Sequence, residues 1–276
     1  MKHDKAPISP SKILIWTFLF IGAVLMMTPI IFMFSASFKF NDQIYDLALI
    51  SDEPTISNYV MLFQNTEFVT WFLNSMGVAL ITTISVVFFD SLVGYTLAKF
   101  KFAGRKLVFI AILSTLMIPT EMLVIPWYIL ARDLGLLNSY VGLIFPGLMT
   151  GFGVFLMKQF FETLPDDFLD AARVDGMGEF KVFMTIAMPL VAPALSALAI
   201  FTFLGNWTAF LWPLIVTNSQ ELYTIPVGLA SFSGEFQSEW EMIMTGAAVA
   251  TIPTLIVFLV LQRYIIRGII LGGLKG

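Results

Sequence analysis

The sequence predicts an all-α polytopic membrane protein with six transmembrane helices, and three observations carry that prediction. Of its 276 residues, 58 % are hydrophobic and only 12 % charged, with a mean hydropathy of +0.87. A soluble domain carries about twice that charged fraction, so the surplus apolar surface needs lipid as its solvent. Six apolar runs fall at roughly 13–34, 71–98, 107–130, 141–161, 190–216 and 243–266. Each is close to or above the ~20 residues a helix needs to cross a hydrocarbon core about 30 Å thick. The runs lack period-two alternation, which excludes barrel strands.

The cations supply the third observation. Of the 15 Lys and Arg residues, all but Lys39 and Arg132 fall on one side of a six-span topology. Lys2, Lys5 and Lys12 precede the first run; Lys99, Lys101, Arg105 and Lys106 join the second to the third. Lys158 lies at the end of the fourth run, Arg173 and Lys181 lie between the fourth and fifth, and Arg263, Arg267 and Lys275 close the chain. By the positive-inside rule that side is the cytoplasm, so both termini are expected there.

Along the chain, the first run is followed by Ser35-Ala36-Ser37, which imitates a cleavable signal. The run is too long for a signal core and contains Pro29, so it reads as a retained anchor. Residues 35–70 form a polar, acidic outer segment with Asp42, Asp46, Asp52, Glu53 and Glu67. The second run is long enough to tilt or to project beyond the lipid. It places Asp90 on one helix face with Thr82, Val86 and Gly94; the third run carries Glu121 between Pro119 and Pro126. Acids at membrane depth are costly and often functional. They read either as proton sites or as buried groups bonded to neighbouring hydroxyls and to backbone freed by proline. The fifth run holds Asn206, Trp207, Thr208, Phe210 and Trp212, whose amides, hydroxyls and rings suit a polyol but equally suit helix packing. A second outer segment, 217–241, mixes apolar and aromatic residues with glycine, serine and glutamate.

Several chemistries are excluded. No G-x-x-x-x-G-K-[ST] occurs, so the chain binds no ATP through a P-loop. There is no cysteine and a single histidine, His3, which leaves no thiolate or histidine metal site and no histidine triad. No G-x-S-x-G appears either. The chain is expected not to be catalytic alone and to need no cofactor or metal of its own. Its pI of about 5.0 reflects outer-loop acids and gives no reason to expect nucleic acid.

One segment does not belong in lipid. Residues 162–189 carry Glu162, Asp166, Asp167, Asp170, Asp175 and Glu179 against Arg173 and Lys181. Pro165 ends the fourth span, and Asp166 or Asp167 is placed to cap a short helix whose first-turn acids complement its dipole. Phe168, Ala171 and Ala172 are expected on one side, a smooth surface that seats in a groove. Gly176 supplies the turn. A second amphipathic helix, with Phe180, Phe183, Met184 and Ala187 on one face, returns to the membrane before Pro189.

DAARVDGMGEFKVFMTIAMP in this segment resembles the EAA motif of ABC importer permeases, E-A-A-x-x-D-G followed at fixed distances by phenylalanine and proline. Asp170, Ala171, Ala172, Asp175, Gly176, Phe183, Ile186 and Pro189 fall on the pattern, with Asp170 in place of the usual glutamate and Met177 in place of a common alanine. The stretches 95–105, 223–229 and 262–276 are similar to the sugar-importer subgroup that includes the maltose permeases. That subgroup often reads Trp-Asn-Asp-Phe where this chain has Trp207, Thr208, Ala209 and Phe210.

The resemblance implies a type I ABC importer permease in a bacterial inner (plasma) membrane. It implies half of a translocation pathway for a sugar or sugar derivative. A second permease subunit would complete the pathway, a dimeric cytoplasmic ATPase would hold ATP and Mg, and a periplasmic or extracellular solute-binding protein would deliver the cargo. It divides the chain into 1–70, a transmembrane domain over 71–267 with the coupling loop at about 162–189, and a cytoplasmic tail at 268–276. Asp170, Ala171, Ala172, Asp175 and Gly176 would couple to the ATPase. Asn206, Trp207, Thr208 and Phe210 would line the pathway, and Ser231, Phe232, Ser233, Gly234 and Glu235 would meet the binding protein. The competing reading is a proton-coupled secondary transporter using Asp90 and Glu121.

Overall fold

A computed structural model describes residues 10–46, 48–49, 51–234 and 238–273, with their side chains from Ser11 through Val260. The described residues separate into two compact units, Met1–Thr66 with Leu229–Val249, and Glu67–Gly228 with Ala250–Gly276.

The first unit holds α1 (Pro10–Ala36), α2 (Ser57–Gln64) and the start of the last helix. Apart from Ala36 at its end, none of α1 is buried within the chain, and the apolar side chains over 13–31 point out nearly all round, as lipid or another chain as solvent requires. Beyond α1 a polar knot closes the outer segment. Asn58 Nδ2 donates to the carbonyls of Ser37 and Lys39 at 3.0 and 2.8 Å, and Thr245 Oγ1 reaches Ser37 O at 3.3 Å. Buried Lys39 donates to the carbonyls of Asp46 and Ala48. Buried polar groups are tolerated because each has such a partner.

The second unit is built on α3 (Phe68–Lys99). Around it come α4 (Arg105–Thr115), α5 (Val124–Asp133), α6 (Tyr140–Ile144) and α7 (Gly151–Glu162). There follow α8 (Asp166–Val174), α9 (Glu179–Val182), a π-turn at Phe183–Ala187, α10 (Met188–Leu190) and α11 (Ala192–Trp207). The short α12 (Leu211–Val216) and α13 (Ile225–Ala230) precede α14 (Trp240–Gly273).

Among the described residues, three stretches are continuous and apolar enough to cross a membrane: Ser11–Ala36, Phe68–Lys99 and Trp240–Val260. The third and fourth runs are broken instead, bending by 92° and 46° between their halves, and an 84° bend separates Glu179–Leu190 from Ala192–Trp207 at the start of the fifth run; counted as one span each, the three bent pairs bring the total to six. Proline and glycine cause the breaks. Pro119 stops the helix after three 3₁₀-type bonds ending at Ile118. Pro146 and Gly147 sit in a 3₁₀ turn before Thr150 restarts the chain as α7. Pro189 and Pro193 flank Val191, which leaves the helical region at φ −101°, ψ 18°.

Asp90 staples α3 to α7. It is 0 % exposed and accepts from Thr150 N at 3.1 Å and from Thr150 Oγ1 at 2.6 Å, while Thr150 Oγ1 accepts from Gly153 N. A Cβ at position 153 would collide with the Asp90 carboxylate, so glycine is required for this approach.

Candidate functional site

The charged segment folds as a short strut. Pro165, not an aspartate, occupies the N-cap of α8, and no side chain caps the helix. The expected cap fails because Asp166 is engaged elsewhere. It accepts at 2.7 Å from Lys99 Nζ, which also donates to Leu164 O at 2.6 Å. The Lys99 hydrogen bond, reinforced by its charge, holds the exposed Asp166 carboxyl below the ordinary aspartate range.

Asp175 ends α8, and Gly176 follows at φ +81°, a region where Cβ is penalised. Gly176 N bonds Arg173 O and Met177 N bonds Ala172 O, both at 3.0 Å, forming a Schellman turn. Arg173 then joins both sides of this turn. Its Nη1 meets Asp170 at 2.7 Å, and Nε and Nη2 meet the two oxygens of Glu179 at 2.7 and 3.1 Å. These bonds, led by those to Glu179, raise the guanidinium pKa further above its usual value.

The faces differ from the sequence expectation. Ala172 is only 6 % exposed and packs with Leu169 into a core that includes Phe161 of α7 and Val191, Ala194 and Leu198 at the start of α11. Phe168, Ala171 and Val174 point outward, Val174 at 87 %. Ala172 sits one turn from Leu169 (i, i+3), and this pair, not the Ala171–Ala172 pair, defines the buried stripe. Phe180 and Met184 likewise point outward while Phe183 and Ala187 are buried. The π-turn there breaks the 3.6-residue spacing on which a single shared face was expected. Tyr95, Phe161 and Phe183 pack ring to ring beneath the strut, with centroids 5.2–6.3 Å apart.

A cavity of about 710 Å³ lies in the second unit where two helix breaks meet the end of α11. Its wall includes Leu116, Ile118 and Thr120 from the α4–α5 break and Gly147, Met149 and Thr150 from the α6–α7 break. Non-helical backbone at membrane depth is tolerated where it lines a cavity. Of the expected pathway residues, Asn206 lines this space. Trp207 does not. It is 4 % exposed, stacks on Phe203, meets Phe72 edge-on and donates Nε1–H to Ala250 O at 3.1 Å. Thr208 donates to Leu204 O, and neither it nor Phe210 belongs to the wall. Ala209, Trp212 and Trp127 do. Trp127 was legible only through Pro119, Pro126, Pro146 and Gly147, which interrupt apolar runs and so point to a site.

Of the outer-loop set, Ser231, Phe232, Ser233 and Gly234 form a turn in which Ser233 bridges Ser238 and Glu239 N bonds Phe232 O at 3.0 Å. Glu235 lies outside the described residues. Asp90 matches the packing reading of that acid, with both oxygens committed to Thr150, and Glu121 is exposed on a 3₁₀ turn; the pair gives the proton-coupled reading no support.

Residues 90–271 match the family described as binding-protein-dependent transport system inner membrane component. The arabinooligosaccharides transport system permease protein AraQ of Bacillus subtilis is 36 % identical, with 100 % of both chains covered. The lactose transport system permease protein LacG of Rhizobium radiobacter is 32 % identical over 94 % of this chain and 95 % of its own. A bacterial ABC transporter involved in import of the acidic polysaccharide alginate shares the fold, with a TM-score of 0.83 at 23 % identity over 94 % of this chain and 99 % of that one. The chain therefore belongs to the family of inner membrane permease components of binding-protein-dependent ABC importers.

Proposed function

We propose that this chain is one of two permease subunits of a carbohydrate importer, driven by a separate ATPase dimer that docks on α8. Mg and ATP belong to that partner, and a solute-binding protein meets the turn at Ser231–Gly234 and Glu235. The strut faces the cytoplasm with both termini, a reading that the cation distribution supports.

The observation that carries the reading is the shared core beneath the strut. Leu169 and Ala172 belong to the same buried core as Phe161 of α7 and Ala194 and Leu198 of α11. The same two helices, at or just beyond their other ends, contribute Thr150, Val154, Asn206 and Ala209 to the cavity wall. A push on Phe168, Ala171 and Val174 is therefore delivered to two cavity walls through close-packed side chains, which transmit strain because interiors have few voids. Binding energy at the ATPase becomes a shift between two arrangements of the pathway.

Supporting the carbohydrate assignment are the arabinooligosaccharide and lactose cargoes of the relatives and the neutral polar lining of the cavity. The test is co-purification and reconstitution with the partner chains. ATP-dependent uptake of an oligosaccharide, stimulated by its loaded binding protein, is expected. Uptake by this chain alone under a proton gradient would sink the proposal.

A further inference from the structure

We propose that the cavity between the two helix breaks and the end of α11 is a subsite for a neutral saccharide. Trp127 and Trp212 supply ring faces; Thr120, Asn206 and the Trp127 indole N–H supply hydrogen bonds. The inference rests on the carbohydrate-importer reading and specifies the solute chemistry that this chain's own wall admits.

The wall contains no charged side chain. Asp90 lies directly behind Thr150 but is 0 % exposed, with both oxygens engaged by Thr150, and Glu121, beside Thr120, is not a wall residue. An ionised uronate or phosphate brought out of water needs a cation or several strong donors. This wall offers none of the former. A hydroxylated ring needs neutral donors and acceptors and an apolar face for its C–H groups, which is the mixture present.

The polar inventory is specific. Trp212 donates its indole N–H to Gly142 O at 3.0 Å and meets Phe145 at an edge with centroids 5.7 Å apart, which together fix its plane in the wall. Trp127 meets it edge-on, with centroids 6.0 Å apart and planes at 81°, and its own N–H has no partner among the described residues. The Thr120 hydroxyl is likewise without a partner among them. Asn206 spends one N–H on Thr202 O at 2.8 Å, leaving its second N–H and its carbonyl oxygen. Thr150, by contrast, spends its hydroxyl proton on Asp90 and accepts from Gly153 N. The free groups are thus all neutral and of both polarities, as hydroxyls that both donate and accept require. The volume lies within the about 300–1,000 Å³ of small-molecule sites.

The chain contains no cysteine, so Ala209→Cys places a single thiol on the cavity wall. In the assembled importer, with partner chains freed of exposed cysteine, modification of that thiol by a neutral methanethiosulfonate is followed with and without solute. A neutral oligosaccharide is expected to slow labelling about fivefold or more, and an oligouronate to leave it unchanged. Trp127→Leu is expected to raise the half-saturating neutral oligosaccharide for uptake by about three- to tenfold, as loss of an aromatic contact implies. Trp127→Phe, which keeps a ring, is expected to lose less. Equal protection by both solutes, or protection by an alkyl detergent alone, overturns the subsite. So does absence of protection in a complex whose ATPase is stimulated by oligosaccharide-loaded binding protein, and there the importer reading survives. If no saccharide-loaded binding protein stimulates hydrolysis, the carbohydrate reading falls and the subsite with it.

Discussion

Arg173 grips Glu179 through two parallel N–H···O bonds, 2.7 and 3.1 Å long, across the left-handed turn at Gly176. With the third bond to Asp170, one guanidinium ties the helix before the turn to the helix after it. Such planar, bidentate pairing is a geometry that lysine does not reproduce. Both partners are partly exposed, so a double-mutant cycle is expected to give only about 0.5–1 kcal/mol. The functional effect is larger, because the clamp fixes the direction in which the strut pushes. Arg173→Met is expected to lower solute moved per ATP several-fold in the assembled complex, with Arg173→Lys intermediate. An unchanged transport-to-hydrolysis ratio in Arg173→Met would show that the strut holds its shape without the clamp.

The Lys99–Asp166 bridge has a defined pH signature. Asp166 titrates below its usual range in the folded chain, mainly through the Lys99 hydrogen bond. Its contribution is therefore fully present above the unfolded carboxylate pKa of about 3.9 and is lost as pH falls through the lower, folded value. Wild type and Asp166→Asn are expected to differ in thermal midpoint by a constant amount above about pH 5, with the gap closing as acid protonates Asp166. Lys99→Met is expected to cost more than Asp166→Asn at neutral pH, since it also strips Leu164 O of its donor.

Spans, strut and turn were legible because each follows from local chemistry: apolar length, a charge cluster and a glycine at a helix end. The breaks were written in Pro119, Pro146 and Gly147, but hydropathy averages over them, so two runs read as unbroken helices. What the local pattern does not contain is which neighbour a face meets. Ala171 and Ala172 are chemically identical, and only the packing of the strut onto the core that holds Leu169 and Phe161 decides that Ala172 is inside. Trp207 and Trp212 are separated in the same way. The first is buried on Phe203 and Phe72 and the second faces the cavity, a distinction made by the kink between α11 and α12.

Gly153 and Asp90 form a lock whose two halves respond oppositely to substitution. Gly153→Ala drives a methyl into the carboxylate and is expected to destabilise by about 1–3 kcal/mol. Asp90→Asn keeps an oxygen for Thr150 and is expected to retain ATP-driven uptake at near wild-type rate, which a proton site would not. Asp90→Ala opens the space that the added methyl needs. Gly153→Ala is therefore expected to cost less in the Asp90→Ala background than in wild type, as thermal midpoints in detergent would reveal. Additive losses would mean that the collision is relieved elsewhere.

The paired alanines give the sharpest separation of docking from folding. Ala171→Asp adds a carboxylate to the outward face beside Phe168 and Val174, where water solvates it in the free chain. Membrane insertion and thermal midpoint are expected to stay within about 0.5 kcal/mol of wild type. Co-purification of the ATPase is expected to fall at least tenfold, because an unpaired charge is then buried in the joint. Ala172→Asp places the same group among Leu169, Phe161 and Phe183, where it lacks both room and a partner. Loss of the folded chain itself is expected there, at a cost of several kcal/mol. If Ala171→Asp keeps full ATPase binding while Val174→Asp does not, the contact lies toward the C-terminal end of α8; if both bind normally, α8 is not the docking element.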